Sequence, residues 1–307
     1  IFLYNKKKFL LNQSGDDHQV FVSKISTPLI GGIIIFFSIY VFNLNNLNLF
    51  FIYTLCIFII GLLSDLKKMN SPILRFMLQL LIILLTVHFS NTIIIDTRLN
   101  FLDYLLNNYY FAIIFTSFCV LIIVNGTNFI DGINSLVIGY YIIICFTLLF
   151  LQQKGFILLL NFPLQLMIIC LVILFFLNLF NKLYLGDSGA YLLGFIFSIE
   201  LINFYLLNNS ISPFFIILLL WYPAFENLFS ILRKTNLKKS PIDPDTNHLH
   251  QLIFSYFVKK NFTSLKSSNI TGILINVYNG IIIIISLMNL VFPFLIQVLT
   301  LLLDIPG

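Results

Sequence analysis

Long apolar runs separated by short polar segments make up most of this chain. Ten runs have the length and uniform hydrophobicity of membrane-spanning helices, which need about 20 mostly apolar residues each. A membrane β-barrel would instead alternate polar and apolar residues, whereas positions 281–285 are five consecutive isoleucines. The pattern predicts an all-α polytopic membrane protein of about ten transmembrane helices, in one domain over residues 1–307, with spans near 28–43, 48–63, 73–90, 109–124, 133–151, 163–180, 189–207, 211–229, 271–290 and 292–304.

Composition agrees with a chain that has the lipid bilayer as its main surroundings. Hydrophobic residues make up 59% and charged residues only 9% of the chain, whose mean hydropathy is +1.00. A soluble domain carries about 25% charged residues, so this class is excluded, and we expect no nucleic-acid partner. The chain begins at Ile1 without Met, and residues 1–4 resemble the tail of an apolar segment. We therefore expect one further helix upstream.

The lysines and arginines give the expected orientation of the spans. If the first loop faces the cytoplasm, only Arg98 and Lys154 fall outside, and the other fifteen of the 17 cations lie inside. Cytoplasmic loops of membrane proteins carry such an excess of Lys and Arg. We therefore predict a multi-pass membrane protein in which the loops that carry these cations face the cytoplasm.

Four polar clusters lie at the ends of apolar runs, and the same orientation places all four on the cytoplasmic face. They occupy residues 61–67, 125–134, 185–189 and 243–250. Their ionisable groups include Asp65, Asp131, Asp187, Asp243, Asp245, His248 and His250. Carboxylates and histidines concentrated at one membrane surface predict an active site on the cytoplasmic loops.

The side chains of these clusters suit phosphate and a hard cation. Asn125, Asn128 and Asp131 form one stripe if they are helical, and their oxygens are donors that suit Mg²⁺ or a nucleoside. Asp187 follows a glycine at a predicted helix start, where backbone N–H groups favour anions. His248 and His250 lie in a loop with seven cations, so an anionic phosphate is favoured there over zinc. Attraction to anionic lipid headgroups is the alternative explanation for these cations.

The order and spacing of the motifs resemble the polyprenyl-phosphate N-acetylhexosaminyl-1-phosphate transferases, membrane enzymes of the glycosyltransferase family 4 type. The resemblance runs from about Lys24 to His250. The similar segments are the Pro-x-x-Gly-Gly motif at 28–32, the Asp-Asp motif at 64–65, the Asn-x-x-Asn-x-x-Asp-Gly motif at 125–132, the Gly-Asp-Ser motif at 186–188, the Pro-x-x-Asp stretch at 223–226 and the His-x-His motif within 240–250.

Five positions depart from the family pattern. Ser64 replaces the first acid of the Asp-Asp pair, so only Asp65 can hold a role there. The loss of an arginine at Thr246 leaves Arg233 or Lys238 to neutralise a diphosphate. The remaining departures are Asn134 and Glu226 in place of Asp, and Gln251 in place of the last His.

The resemblance implies transfer of a sugar-1-phosphate, an N-acetylhexosamine derivative, from a UDP-sugar to undecaprenyl phosphate with release of UMP. It implies Mg²⁺ as the cofactor, with Mn²⁺ as a substitute, and a location in the bacterial cytoplasmic membrane. It also implies the first membrane step of cell-envelope polysaccharide synthesis, such as O-antigen or capsule. A homodimer is left open. The implied residues are Asp65 and Asp131 for catalysis, Asp187 and Asn125 for the metal, and Lys24, Thr27, Asn128, Asn134, Arg233, His248 and His250 for the substrates.

Two alternatives remain. One is the phospho-MurNAc-pentapeptide translocase of peptidoglycan synthesis, although the 240–250 motif is closer to the sugar-phosphate branch. The other is a membrane transporter, which would place ionisable residues near the bilayer midplane. Glu200 is the clear mid-span acid.

Overall fold

The computed structural model describes residues 27–42, 49–236 and 248–291, and this part of the chain is helical. Its extended pairing is limited to a single bridge between Leu29 and Tyr184. The helices are α1 Gly31–Phe42, α2 Leu49–Asp65, α3 Pro72–Ser90, α4 Asn100–Leu106, α5 Tyr109–Phe129, α6 Leu136–Gln153, α7 Leu164–Leu179, α8 Gly186–Leu207, α9 Pro213–Leu219, α10 Trp221–Asn236, α11 Leu249–Lys259 and α12 Ser264–Val291.

These helices confirm the prediction of an all-α polytopic membrane protein. Each predicted span up to 271–290 contains a helix or a helix pair, and the span at 292–304 lies outside the described residues. By length and composition α3, α5, α6, α8 and α12 can each cross a membrane, and the bent pair α9–α10 adds a sixth candidate. Helices α1, α2 and α7 are apolar but shorter.

The predicted span at 211–229 is not one straight helix, because α9 and α10 meet at an angle of 77°. Pro223 has no N–H to donate to the carbonyl four residues earlier, which weakens the helix at that point. That carbonyl belongs to Leu219, and it accepts a hydrogen bond from the Tyr140 hydroxyl at 2.7 Å instead. Hydropathy alone gave no sign of this bend.

Helix α8 lies at the centre of the bundle. Every residue from Gly186 to Ile202 is buried, because α8 packs against α1, α2 and α5 together. Outer helices such as α3 expose apolar side chains instead, including Met77 and Leu81, as expected for helices that face lipid. The N-terminus of α8 consequently lies where the ends of several other helices meet.

Candidate active site

The carboxylate of Asp65, the last residue of α2, holds the first turn of α8. Its Oδ1 accepts a hydrogen bond from the Asp187 N–H at 2.8 Å. Its Oδ2 accepts from the N–H of Ser188 at 3.1 Å and from the Ser188 hydroxyl at 2.6 Å. The first N–H groups of a helix have no partner within the helix and carry a partial positive charge. Asp65 therefore joins the Asp-Asp motif at 64–65 directly to the Gly-Asp-Ser motif at 186–188.

Glycine is required where these two segments approach each other. Gly186 has a φ of +77°, a conformation that L side chains rarely adopt. A Cβ atom at Gly186 would also lie 2.8 Å from Oδ2 of Asp65, and one at Gly61 would lie 2.4 Å from the Cα of Ser188. The close contact of α2 with the start of α8 thus depends on the absence of these side chains.

Asp187 is the point at which three motif segments and α3 converge. Its Oδ1 accepts from Nδ2 of Asn128 at 2.8 Å. Its Oδ2 accepts from the Ser64 hydroxyl at 2.5 Å and lies 2.9 Å from Nη1 of Arg75. Arg75 also donates to the Ser64 hydroxyl. Ser64, which replaces the first acid of the Asp-Asp pattern, therefore contacts Asp187 through its hydroxyl.

Asp131 lies in the turn after α5 and completes a group of three carboxylates. It accepts a hydrogen bond from the backbone of Gly186. Burial, followed by the charges of Asp187 and Asp65, raises the pKa of Asp131 well above its usual value. A cation bound beside Asp131 would offset both effects and favour the ionised carboxylate.

The donor set fits Mg²⁺ better than a metal that requires a complete protein cage. Among the residues that the structure describes, no three His, Cys, Asp or Glu side chains converge on one metal position. Mg²⁺ commonly binds through one or two carboxylates and takes its other ligands from water and substrate phosphates. Asp187 could supply such a carboxylate, with Asp131 beside it.

Asn125 lies on the same face of α5 as Asn128, as the spacing predicts. Its Nδ2 donates to Oε1 of Gln79 at 3.2 Å and to the Leu121 carbonyl at 3.0 Å. These contacts turn its amide nitrogen toward α3. A metal-ligand role for Asn125 stays a prediction.

The His-x-His motif at 248–250 packs against α10 and the end of α5, and Glu226 of α10 holds it. Nδ1 of His248 lies 2.9 Å from Oε2 of Glu226, whose Oε1 accepts from the Leu249 N–H at 3.1 Å. The His248 ring stacks on His250 at a centroid distance of 5.5 Å and lies 5.7 Å from the Phe129 ring at the end of α5. Glu226 therefore fixes the position of the His-x-His pair.

The other departures also take part in ordinary contacts. The side chain of Gln251 accepts from the backbone N–H of His248 at 3.2 Å, at the start of α11. Asn134 packs on α12, where its N–H donates to the Ser268 hydroxyl at 2.9 Å and its Nδ2 to Oδ1 of Asn269 at 3.4 Å. Asn134 therefore contacts α12 and takes no part in the hydrogen bonds to Asp187 described above. Its role in substrate binding stays a prediction.

Of the three remaining predicted substrate residues, the structure describes Thr27 and Arg233 but not Lys24. Thr27 is buried just before the bridge that joins Leu29 to Tyr184. The guanidinium of Arg233 lies 5.5 Å from the centre of the Phe229 ring on α10. Lys24 lies outside the described residues, as do Lys238, Asp243, Asp245 and Thr246.

Sequence reasoning missed Arg75 and Gln79 as site residues. Arg75 was counted only as a cation of the cytoplasmic face, yet it contacts both Ser64 and Asp187. The signal was present, because Arg75 and Gln79 are four residues apart on α3 and therefore share a face of this otherwise apolar helix.

Comparison with known proteins gives one family and several relatives. The family model described as Glycosyl transferase family 4 matches residues 47–205. The chain is 28% identical over 238 residues to a Thermotoga maritima undecaprenyl-phosphate alpha-N-acetylglucosaminyl 1-phosphate transferase, covering 76% of this chain and 70% of that protein. It is 26% identical over 242 residues to a probable undecaprenyl-phosphate N-acetylglucosaminyl 1-phosphate transferase of Bacillus subtilis, covering 75% and 66%. A decaprenyl-phosphate N-acetylglucosaminephosphotransferase of Mycolicibacterium smegmatis is 29% identical over 160 residues, which is 45% of this chain and 39% of that protein.

Proposed function

We propose that this chain, which belongs to glycosyl transferase family 4, transfers a sugar-1-phosphate from a UDP-sugar to undecaprenyl phosphate and releases UMP. The observation that carries the proposal is the meeting of Asp65, Asp131 and Asp187 with Asn128 and Arg75 at the end of a membrane-embedded bundle. The names of the relatives, which pair a polyprenyl phosphate with N-acetylglucosamine 1-phosphate, support an N-acetylhexosamine donor.

The reaction requires two anions to meet. An oxygen of the lipid phosphate forms a bond to the phosphorus that carries the sugar, and the bond from that phosphorus to the oxygen of UMP breaks. The second pKa of a phosphate monoester is about 6, so the attacking group is largely dianionic at neutral pH. Positioning and charge neutralisation therefore matter more than a strong general base, as in other phosphoryl transfers.

Mg²⁺, with Mn²⁺ as a substitute, would be held by Asp187, with Asn125 as a further predicted ligand. The ion would neutralise part of the diphosphate charge and withdraw electrons from the phosphorus under attack. Arg75 is placed to contribute a second positive charge beside Asp187. We assign proton removal or positioning of the lipid phosphate to Asp131.

Asp65 has a more specific assignment than the sequence alone gave it. Both of its oxygens bind the first turn of α8, so we propose that it acts by positioning Asp187 and Ser188. His248 and His250, held by Glu226, are proposed to contact the diphosphate together with Arg233. Charged groups arranged in advance in this way stabilise the charge that develops during transfer.

The transporter alternative depends on Glu200. The contacts of this side chain favour a role in helix packing. Oε1 of Glu200 accepts from the backbone N–H of Asn161 at 3.0 Å and from its Nδ2 at 2.9 Å. These bonds attach the segment before α7 to the middle of α8. We therefore place the chemistry at the other end of α8, on the cytoplasmic face of the bacterial membrane, in the first membrane step of a cell-envelope polysaccharide.

The test is UMP release by the purified protein with undecaprenyl phosphate and Mg²⁺. UDP-GlcNAc, UDP-GalNAc and UDP-MurNAc-pentapeptide are supplied separately, and an Asp187→Asn variant measures the background. Release with an N-acetylhexosamine donor supports the proposal. Release with the pentapeptide donor alone would assign the peptidoglycan step instead, and no release with any donor in the presence of the lipid would contradict the transfer.

A further inference from the structure

The backbone corner at Ser135 adopts a conformation that a residue with a Cβ atom rarely takes. Ser135 has φ +65° and ψ −9°, in the left-handed region, immediately before α6. Contact between the Cβ atom and the backbone disfavours this region for L residues other than glycine. The Ser135 side chain makes no capping hydrogen bond to α6, so the reason for the conformation lies elsewhere.

Two buried asparagines hold this corner from opposite sides. The N–H of Ser135 donates to Oδ1 of Asn178 on α7 at 2.5 Å. Its carbonyl accepts from Nδ2 of Asn276 on α12 at 3.0 Å. Asn178 is 5% exposed and Asn276 7% exposed. Asn178 thus satisfies a buried backbone N–H that the sharp turn leaves outside the helical pattern. The Ser135 carbonyl also accepts the first helical hydrogen bond of α6, from the Gly139 N–H at 2.9 Å, and Asn276 adds a second donor that fixes its direction.

The corner connects the two acidic motifs. Ser135 lies four residues after Asp131, and Nδ2 of Asn178 also donates at 2.9 Å to the carbonyl of Leu183, four residues before Asp187. The Asn178 amide therefore bridges the two segments whose ends bring Asp131 to the backbone of Gly186.

Helix α12 packs directly against the same corner, at Asn134 and Ser135. A Cβ atom at Gly272 would lie 2.3 Å from the carbonyl oxygen of Asn134, and the Ser268 hydroxyl accepts from the Asn134 N–H. Small residues allow this approach of backbones in membrane proteins. Helix α12 lies wholly outside the region that matches the family model.

We propose that Asn178 and Asn276 are positioning residues, which hold Ser135 in the left-handed conformation and thereby set Asp131 against the start of α8. This inference rests on the proposed function, because it makes the placement of Asp131 matter for transfer. Small displacements of a reacting group reduce turnover strongly even when the altered residue is far from the chemistry.

The first test compares two leucine variants on α12. Asn276→Leu removes the side-chain donor to Ser135 while it keeps the number and branching of the side-chain heavy atoms, and we expect kcat for UMP release to fall about 10-fold to 100-fold. The KM for the UDP-sugar should stay within about twofold, since transition-state positioning is what is lost. The control is Asn279→Leu, because Asn279 is also fully buried but neither of its amide atoms has a hydrogen-bond partner among the described residues.

The second test is rescue by glycine. Because glycine adopts positive φ without strain, Ser135→Gly added to Asn276→Leu should restore most of the lost kcat and raise the thermal midpoint. Added to the wild-type chain, the same change should have a smaller effect on both. A packing role for Asn276 predicts no such difference between the two backgrounds, and equal effects would overturn the proposal.

These experiments distinguish failure of the proposed function from failure of the positioning role. If the wild-type protein releases no UMP with any donor, the proposed function fails, whereas the thermal coupling between positions 135 and 276 still tests whether Asn276 holds the corner. If the wild-type protein is active and Asn276→Leu retains its full kcat, the positioning role is excluded.

Discussion

Nη1 of Arg75 lies 2.9 Å from Oδ2 of Asp187, so a protein cation already binds the carboxylate that we assign to Mg²⁺. A metal ion bound to Asp187 would compete with this guanidinium for the same carboxylate. When the metal binds, repulsion between the cations should displace the guanidinium toward the substrate phosphates. Arg75 would then neutralise charge in both states, first on Asp187 and later on the diphosphate.

This competition predicts opposite changes in binding and turnover for Arg75→Leu. Removal of the guanidinium should tighten Mn²⁺ binding, measured by electron paramagnetic resonance, because Asp187 loses its competing partner. The same change should reduce kcat on the order of 10²-fold or more, because a charge that stabilises the transition state is lost.

Arg75→Lys retains the charge and should show a smaller change in both quantities. Arg98→Leu is the matched control, because Arg98 binds the carbonyls of Asn209 and Ile211, between α8 and α9 at the opposite end of the bundle. Weaker Mn²⁺ binding in Arg75→Leu would show that Arg75 supports the metal and does not compete with it.

Asp187→Asn should abolish most of the turnover while the protein still folds and inserts. The amide preserves the shape of the side chain but removes the charge, and the loss of one such electrostatic contact costs about 10² to 10³ in rate. UMP release at equal expression is the measurement. Asp103→Asn changes a half-buried carboxylate on α4 that accepts hydrogen bonds from Thr97, outside the four clusters. It is the control and should leave the rate unchanged. Retention of more than about a tenth of the wild-type rate would move the metal assignment to Asp131.

Transfer should require a divalent cation. Excess EDTA should stop UMP release, and addition of Mg²⁺ or Mn²⁺ beyond the EDTA should restore it, because oxygen donors and two anionic substrates meet at one point. Full activity in EDTA would instead leave neutralisation to Arg75 and the neighbouring lysines.

Membrane orientation is tested by single introduced cysteines. We expect Asn70→Cys and Lys260→Cys, both at exposed positions of loops predicted to be cytoplasmic, to resist an impermeant maleimide in intact cells and to react in inverted vesicles. Gln153→Cys, at the opposite end of α6, should show the reverse pattern. The native cysteines are buried or partly buried. The unmodified protein is labelled in parallel, so that any reaction of these cysteines can be subtracted. Labelling of position 70 from outside would invert the assignment.

The sequence predicted the helices and the gathering of the motifs because polar residues are conspicuous in an apolar chain. It placed Asp187 at a helix start and Asn125 with Asn128 on one face, and the structure shows both. It did not reveal the bend at Leu220, since hydropathy does not record which backbone donors are missing.

Sequence spacing also could not show which side chains meet across the bundle. In the sequence, Ser64 stands where the family pattern has an acid, and nothing there shows that its hydroxyl binds Asp187. The two residues are 123 positions apart. The same limit applies to Asn178 and Asn276, whose contacts with Ser135 exist only after α6, α7 and α12 have packed.

The capping of α8 by Asp65 also sets an order of events during synthesis. The carboxylate and the backbone N–H that it binds are 122 residues apart, a separation that takes about 6 to 24 s to translate at about 5–20 residues per second. Throughout this time α2 is already made, while the helix start that satisfies its terminal acid does not yet exist. The ionised carboxylate must remain in contact with water or lipid headgroups, because an unpaired charge is costly inside the bilayer. Insertion of α8 then brings Asp187 and Ser188 to Asp65, so the candidate site begins to assemble only after more than half of the described helices have been made.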